Sequence, residues 1–340
     1  MSCVVIFGGI GFIGLSYAEK ALKDPHIKKI FIFDIKSIED NSNYSKANLE
    51  QNNKIHYVRG DVRRPISDFT HGEKVSLIIN LAAIHREPGH RLEEYYETNI
   101  LGAENVCEFA EKVKCNKIIF SSSIAPYGPS EKIKDELSLP CPVTPYGNSK
   151  LIAEKIHLIW FEKNAKSKIL QIVRPGIVYG SGEGGNMTRL VKAIEKRIFF
   201  YTANKNTRKA GVYIDELLNM IRWVLSNQIK GKLDSKVLYN ATYWPNPSIN
   251  DYAKTISKVL KIKPPVLNLP FFLLSMIACG LELISKLFKL NNVISPVRIR
   301  KLTKSNLIKP SFLLRNKYKF KYTLHQAFSH WKNKNKEDWK

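Results

Sequence analysis

A chain of 340 residues with 44% hydrophobic residues has the size and composition of a soluble globular protein of one large or two moderate domains. Its five cysteines are odd in number and lack a CxxC spacing, so they argue against a disulfide framework or a zinc module and favour reduced thiols in a cytoplasm. The first residues, MSCVVIFGG, have no basic region and reach glycines early, and they therefore predict a strand rather than a secretion signal.

The positive charge is concentrated near the end of the chain. The formal net charge is +24, and residues 286–340 hold 15 Lys and Arg against two acidic residues. One interpretation is contact with anionic lipid; the other is a lysine-rich solvated surface. No helix-turn-helix, zinc finger or aromatic RNA-binding motif accompanies the charge, so neither a nucleic-acid partner nor a metal site is expected.

The first half of the chain alternates short apolar runs with longer amphipathic stretches. Because the runs are apolar throughout, they predict a doubly wound parallel sheet covered by helices on both faces. The predicted strands are Cys3–Phe7, Lys29–Phe33, Lys54–Val58, Leu77–Asn80 and Lys117–Ser121, and the clearest helices are Glu93–Val113 and Tyr146–Glu162.

The pattern changes after Arg174, where a glycine-rich loop begins. We expect residues 1–175, with 211–245 returning to them, to form the sheet domain, and 176–210 with 246–340 to form a smaller, mostly helical lobe with a basic tail. Its apolar stretch at 267–281 is shorter than the about 20 residues that span a bilayer. The elements predicted there are a strand at Lys236–Asn240 and helices at Ser248–Leu260, 269–290 and Leu324–Trp331.

A glycine loop follows the first predicted strand. In FGGIGFIG, Gly8, Gly11 and Gly14 recur every three residues before a helical stretch, as a turn that cradles a pyrophosphate requires. Asp34 ends the second strand, 20 residues after Gly14, and its carboxylate suits the two ribose hydroxyls of adenosine. That carboxylate would repel the 2′-phosphate of NADP, so the cofactor is predicted to be NAD. Asp61, after the third strand, is predicted to reach the adenine.

The stretch VTPYGNSKL places Tyr146 four residues before Lys150. On a helix these two positions share one face. The spacing is weak evidence in a lysine-rich chain, because it recurs at Tyr201 and Lys205 in YTANK. Only the surroundings can distinguish the two pairs.

Those surroundings resemble the extended short-chain dehydrogenase/reductase family, in particular its NAD-dependent nucleotide-sugar epimerases. The resemblance is carried by FGGIGFIG, by NLAAIHREP at 80–88, by ETNILGAENV at 97–106, by FSSSIAPYG at 120–128 and by TPYGNSK. It implies a Rossmann sheet, and it implies that Tyr146 is the catalytic base, that Lys150 supports its phenolate, and that Ser123 binds the substrate hydroxyl. Tyr201 and Lys205 lack such companions and are predicted to lie on the surface or in packing of the second lobe.

The resemblance also implies a wider set of binding residues. Asn99 is expected to fix the helix beneath the site, while His85 and Arg86 should face the substrate. Arg208 lies near a family arginine that pairs with a diphosphate, and Ile177 stands where nucleotide-sugar epimerases usually have Asn. The other residues expected to contact the cofactor, besides Tyr146 and Lys150, are Phe12, Ile13, Val62, Leu81, Ala82, Ala83 and Pro175.

The residues after Ser123 narrow the reaction. Dehydratases and decarboxylases of the family carry an acid there, whereas this chain has Ile124 and Ala125, so epimerisation or simple oxidoreduction is expected. The first hypothesis is an epimerase or dehydrogenase of a nucleotide sugar, in surface-polysaccharide synthesis. A dehydrogenase of a hydrophobic or lipid-linked alcohol and a non-catalytic dinucleotide sensor remain alternatives. A homodimer, and contact with the inner face of the membrane through the 269–290 helix and the basic tail, are further expectations.

Overall fold

The structure is a computed structural model that describes residues 2–38, 52–87, 89–202, 204–269 and 304–340. Cys279 and, apart from its first residue, the helix predicted over 269–290 lie outside these ranges. Within them, no helix is both long and apolar enough to cross a membrane.

Seven parallel strands form the central sheet, in the order β3-β2-β1-β4-β5-β6-β10. Two small two-stranded sheets, β7 with β9 and β8 with β11, lie outside it. The strands are β1 (Ser2–Phe7), β2 (Ile27–Asp34), β3 (Ile55–Arg59), β4 (Val75–Asn80), β5 (Lys117–Ser121), β6 (Ile169–Pro175), β7 (Ile177–Tyr179), β8 (Tyr201–Thr202), β9 (Gly211–Tyr213), β10 (Lys236–Ala241) and β11 (Asn268–Leu269).

Helices flank the sheet. The helix predicted at Glu93–Val113 is divided by a π-helical segment, Glu97–Leu101, which follows α2 and precedes α3. The α-helices are α1 (Phe12–Ala21), α2 (Leu92–Tyr96), α3 (Gly102–Lys112), α4 (Pro145–Glu162), α5 (Asn186–Glu195), α6 (Ile214–Ile229), α7 (Ile249–Leu260), α8 (Ser311–Arg315) and α9 (Leu324–Lys334).

Both faces of the sheet are buried, as a parallel sheet requires. Along β1, Val4 and Ile6 pack into one apolar cluster with α1 and α6, while Val5 and Phe7 pack into a second cluster with α3 and α4. This alternation follows from the two-residue period of a strand. The predicted doubly wound parallel fold is confirmed.

The sheet has a crevice where its winding reverses, between β1 and β4. Strands added after β4 lie on one side of β1, and β2 and β3 lie on the other. In such sheets, ligands bind outside the carboxyl ends of the strands at this point. The glycine loop after β1 and the segment after β4 both lie there.

The end of the chain packs against the helical part of the fold. Phe328 stacks on Tyr179, and Trp331 packs edge-on against Trp339. Glu216 of α6 accepts a hydrogen bond from the Tyr318 hydroxyl at 2.6 Å and two more from backbone amides. The described part of the basic tail, 304–340, is therefore folded onto the domain.

The second tyrosine–lysine pair serves packing rather than chemistry. Tyr201 is 2% exposed in β8, and its hydroxyl donates to Asn250 at 3.1 Å. Lys205 is exposed. Tyr201 therefore belongs to the lobe that carries β8, and Lys205 to its surface.

Candidate active site

The glycine loop leaves no room for a side chain at Gly8 or Gly14. Gly8 has a φ of +70°, and a Cβ there would lie 2.6 Å from the Ala82 nitrogen. A Cβ at Gly14 would lie 2.5 Å from the Gly9 oxygen, so α1 packs directly on the loop. Gly11 caps α1 without a side-chain hydrogen bond, which leaves amide N–H groups at the helix N-terminus for an anion. This cradle fits the pyrophosphate of a dinucleotide.

Asp34 is held at the rim of this cradle. One carboxylate oxygen accepts a hydrogen bond from the Ile10 amide at 3.0 Å, and the other accepts one from the Lys36 amide at 3.0 Å. The carboxylate thus lies at the carboxyl end of β2, beside the glycine loop. An acid in this position fits the ribose of NAD, as predicted from its distance along the chain.

Asp61 is engaged by a neighbour. The Arg63 guanidinium donates to both of its carboxylate oxygens, with a shortest distance of 2.7 Å. Burial favours the neutral acid, but these bonds outweigh it and lower the pKa of Asp61. The adjacent Val62 packs on Gly102, and its carbonyl accepts a hydrogen bond from Asn105 at 2.7 Å. Asp61 therefore carries a fixed negative charge at the position where the adenine is expected.

Helix α4 presents the tyrosine and the lysine. Thr144 caps it by accepting a hydrogen bond from the Gly147 amide at 3.2 Å, and Pro145 occupies its first turn. These two residues fix the start of the helix. Tyr146 therefore lies in its first turn, with Lys150 one turn later on the same side.

Asn99 connects the cofactor segment to α4. Its side chain makes two hydrogen bonds with the Ile84 backbone, at 2.9 and 3.1 Å, and donates to the Ser149 hydroxyl at 2.8 Å. The π-helical segment brings this buried amide into position. Asn99 holds the residues after β4 against the helix that carries Tyr146 and Lys150.

Ser123 lies beside the Tyr146 phenol, and several groups act on that phenol. Burial raises the pKa of Tyr146, the Ser123 hydroxyl lowers it, and the charge of Glu87 raises it further. The net pKa is raised, so in the protein by itself the phenol is neutral at neutral pH. Ionisation of Tyr146 thus requires more positive charge at the site.

Lys150 is a source of that charge. It is 2% exposed, and its Nζ lies 4.3 Å from the centroid of the Phe120 ring. Burial lowers the pKa of its ammonium to about 7, although the charge of Glu154 acts in the opposite direction. Its charge state at neutral pH therefore depends on its neighbours.

Sequence reasoning missed the polar groups beneath these residues. Glu154 is 2% exposed and forms an ion pair with Arg174, with a shortest separation of 2.6 Å. His157 stacks on Phe120 and contacts Asn80, and burial lowers its pKa to about 4. The four-residue spacing from Lys150 to Glu154 was available in the sequence, but the partner on β6 is a long-range contact.

The remaining predicted residues lie around the site or apart from it. Ala82 faces Gly8, and the Pro175 carbonyl accepts a hydrogen bond from Ile124 at 3.2 Å, next to Ser123. Phe12 and Ile13 open α1 and pack partly into the core, while Leu81 follows β4 and Ala83 succeeds Ala82 in the same segment.

Among the other predicted substrate residues, His85 lies within electrostatic range of Lys150. Partial desolvation and the positive charges of Arg86 and Lys150 lower its pKa, and both His85 and Arg86 remain exposed. Arg208 is exposed and donates to the Asn246 carbonyl at 2.6 Å. Ile177 begins β7. In the described part of the chain, no hydrogen bond or ion pair connects Arg208 or Ile177 to Tyr146. In the part of the chain that the structure describes, no group of acidic, His or Cys side chains could hold a metal ion.

The chain is similar to known sugar epimerases. Residues 4–237 match the model of the NAD dependent epimerase/dehydratase family. The N-acetyl-alpha-D-glucosaminyl-diphospho-ditrans,octacis-undecaprenol 4-epimerase of Escherichia coli O157:H7 is 26% identical over 95% of this chain and 92% of its own. The bifunctional UDP-glucose and UDP-xylose 4-epimerase 1 of Pisum sativum is 29% identical, but over only 45% of this chain and 46% of its own.

Solved structures support the same fold. UDP-glucuronic acid 4-epimerase from Bacillus cereus, solved in complex with NAD, has a TM-score of 0.76 at 18% identity, covering 99% of this chain and 100% of that one. At this identity the similarity establishes the fold only. The family model, by contrast, covers well over half of the chain. The protein therefore belongs to the NAD-dependent epimerase/dehydratase family and is an NAD-dependent enzyme of the extended short-chain dehydrogenase/reductase type.

Proposed function

We propose that the protein is an NAD-dependent 4-epimerase of a sugar carried on a diphosphate. The observation that carries this proposal is that Ser123 lies beside Tyr146, which shares a helix with Lys150, and that no acid follows Ser123. Without an acid at that position, elimination of water lacks its proton donor. Besides NAD as the hydride acceptor, oxidation of a sugar hydroxyl and its reversal need only a base, a positive charge and a hydrogen-bonding partner.

Each side chain has a role in this chemistry. Tyr146 removes the proton from the sugar hydroxyl and later returns it, and Ser123 hydrogen-bonds the same oxygen. Lys150 stabilises the Tyr146 phenolate and donates to the ribose of the cofactor. The bound NAD supplies reversible hydride acceptance at the sugar carbon. Epimerisation follows when the keto sugar turns over in the site before reduction.

We favour a lipid diphosphate as the carrier of the sugar. The relative that acts on an undecaprenol-linked sugar aligns with nearly the whole chain, whereas the pea UDP-sugar epimerase aligns with less than half of it. Ile177 also replaces the Asn expected of nucleotide-sugar epimerases, and the sequence PFFLLSMIACGLELISKLFKL at 270–290 is strongly apolar. These features support a substrate with an isoprenoid chain, in the synthesis of a surface polysaccharide.

Exposed leucines beside α4 agree with this choice. Leu137 is 77% exposed and Leu139 is 84% exposed, in the segment that leads into Thr144 and Tyr146. The segment is anchored, because the Lys134 amide donates to the Leu307 carbonyl at 2.8 Å and Glu136 accepts from the Asn240 amide at 2.9 Å. Apolar side chains held in water next to a proposed site suit a lipid ligand.

A nucleotide sugar is the second candidate for the substrate. The pea relative acts on UDP sugars and aligns with 45% of the chain, and Arg208 could pair with either kind of diphosphate. Incubation with N-acetylglucosamine on undecaprenyl diphosphate and on UDP, with detection of the 4-epimer, distinguishes the carriers. We expect turnover of the lipid-linked sugar to be faster by at least about tenfold in kcat/KM. Faster turnover of the UDP sugar would contradict the lipid assignment.

Variants sharpen this comparison. Leu139→Ser removes an apolar contact worth about 1.4 kcal/mol when covered by lipid, so kcat/KM for the lipid-linked sugar should fall about tenfold. Ile229→Ser is the matched control, because Ile229 is 57% exposed at the end of α6. Equal effects of the two variants would argue against lipid contact at Leu139.

The remaining assignments are proposals that accompany this function. We propose that residues 1–175 with 211–245 bind NAD and that 176–210 with 246–340 bind the substrate. A cytoplasmic enzyme at the inner face of the membrane fits a lipid-linked sugar and the basic residues 286–340. A homodimer is proposed by resemblance to the family.

A further inference from the structure

A buried ion pair lies one helical turn below the catalytic lysine. Glu154 follows Lys150 by four residues on α4, and both side chains are 2% exposed. Arg174 on β6 donates two hydrogen bonds to the Glu154 carboxylate, at 2.8 and 2.6 Å, and is itself 3% exposed. The guanidinium and the carboxylate form a buried, two-pronged ion pair. A full negative charge therefore lies on the same face of the helix as the Lys150 ammonium.

The same carboxylate is bonded to the strand that carries the substrate serine. The Ser122 hydroxyl donates to Glu154, and its amide donates to the Val173 carbonyl at 2.8 Å. Ser122 directly precedes Ser123. Glu154 on α4 thus contacts β6 and the residue that follows the end of β5. One residue therefore connects the three segments that position Tyr146, Lys150 and Ser123.

Arg174 is restrained on its other side. Its guanidinium carbon lies 4.7 Å from the centroid of the Tyr127 ring, and the Tyr127 hydroxyl donates to Asn240 at 2.9 Å. Packing against the ring and the two-pronged bond to Glu154 leave the guanidinium little freedom. The position of Arg174, and with it the geometry of the ion pair, is therefore restrained by Tyr127, which is itself bonded to Asn240 of β10.

We propose that the Glu154–Arg174 pair sets the charge of Lys150 and the position of Ser123, which makes Glu154 a positioning residue of the reaction. Glu154 acts through Lys150 by charge and through Ser122 by a hydrogen bond. The proposed role of Glu154 depends on the NAD-linked reaction of the family, and it does not depend on which of the two proposed diphosphates carries the sugar.

The other groups around Lys150 carry little charge at neutral pH. Tyr146 has a raised pKa and is neutral, and burial lowers the pKa of His157 to about 4. His85, from the segment after β4, also has a lowered pKa. Above pH 7 the charges that face Lys150 from the described elements are therefore those of Glu154 and, behind it, Arg174.

The direct test measures the charge of Lys150 without any substrate. In protein labelled with [13C]lysine, the Cε resonance of Lys150 is identified by its loss in Lys150→Arg and followed between pH 5 and 9. Glu154→Gln removes the negative charge and leaves the Arg174 cation, so the pKa of Lys150 should fall by at least about one unit. Well above pH 7, the fraction of Lys150 that is charged is then about tenfold lower in Glu154→Gln than in the unmodified protein.

Two controls separate charge from structure. Arg174→Lys keeps the positive charge but loses the two-pronged bond, so the Lys150 titration should move by less than half of the shift in Glu154→Gln. Ser122→Ala keeps both charges, so it should leave the titration in place and lower kcat by releasing the backbone next to Ser123. An unchanged Lys150 titration in Glu154→Gln, or an equal shift in Arg174→Lys, would overturn the charge role, and an unchanged kcat in Ser122→Ala would overturn the positioning role.

Loss of one member of a buried pair can prevent folding. Glu154→Gln combined with Arg174→Gln leaves two amides in place of two charges and avoids an unpaired buried cation. In this double variant the Lys150 pKa should still lie below that of the unmodified protein, because the nearer, negative charge is gone. A Lys150 pKa in the folded double variant that equals or exceeds that of the unmodified protein would contradict the proposal. Because the titration needs no turnover, this result is independent of whether the proposed substrate is correct.

Discussion

Replacement of Tyr146 by Phe is expected to lower kcat about 1,000-fold, the scale of contribution of a general base. The variant keeps the aromatic ring and loses only the hydroxyl that lies beside Ser123. The Gly8 cradle, Asp34 and Lys150 are unchanged, so NAD should remain bound. The measurement is the steady-state rate of epimer formation together with the amount of nucleotide released from the denatured variant.

Tyr201→Phe is the matched control. It removes a hydroxyl from the other tyrosine that precedes a lysine by four residues, and this hydroxyl donates a hydrogen bond to Asn250. We expect kcat within about twofold of the unmodified enzyme. Substantial turnover by Tyr146→Phe, or an equal loss in Tyr201→Phe, would remove Tyr146 from the catalytic role.

Gly8→Ala is expected to abolish NAD retention and to destabilise the fold. The backbone at Gly8 has a φ of +70°, and a Cβ would lie 2.6 Å from the Ala82 nitrogen and 2.8 Å from the Leu81 carbonyl carbon. The left-handed conformation costs about 1–2 kcal/mol for alanine, and the overlap adds about 1–3 kcal/mol. The segments after β1 and β4 must then separate, which opens the cradle. Bound nucleotide and urea unfolding report the two effects.

Gly72→Ala isolates the backbone contribution. Gly72 has a similar φ of +78°, but nothing lies within 4 Å of a Cβ built there. This variant should lose only about 1–2 kcal/mol of unfolding free energy and should retain its NAD. If Gly8→Ala behaves like Gly72→Ala in both measurements, then close contact between the two segments is not needed for cofactor binding.

The sheet was predictable because its signals are local. The apolar runs in the first half correspond to β1 through β5 within about two residues, since most of these runs are buried, although β3 at the sheet edge is only partly so. The short strands β7, β8, β9 and β11 were missed, because two or three residues carry no periodic pattern. The π-helical segment at Glu97–Leu101 was missed for a different reason: Asn99 selects it through its bonds to Ile84 and Ser149, which are distant in sequence.

The candidate site likewise contains some residues with a local signal in the sequence and others without one. Tyr146, Lys150 and the glycines could be predicted because each set lies within a few consecutive residues. The Glu154–Arg174 pair could not be predicted, because its members are 20 residues apart and lie on different elements, α4 and β6. The lowered pKa of Lys150 also had no signal in the sequence, since it arises from burial against Phe120, which the charge of Glu154 only partly offsets. The pKa of Lys150 is therefore set by contacts between residues that are distant in the sequence, which residue identity alone does not reveal.

The central claim, that the enzyme epimerises a sugar by oxidation and re-reduction at one carbon, is tested most directly with an isotope. Undecaprenyl-diphospho-N-acetylglucosamine deuterated at C4, with the UDP-linked sugar as a parallel, is incubated with enzyme as purified and without added NAD. We predict many turnovers to the 4-epimer with the deuterium retained at C4, because the same hydride leaves and returns within one closed site. Loss of the deuterium to solvent, or accumulation of a keto sugar only when stoichiometric NAD is supplied, would contradict the account.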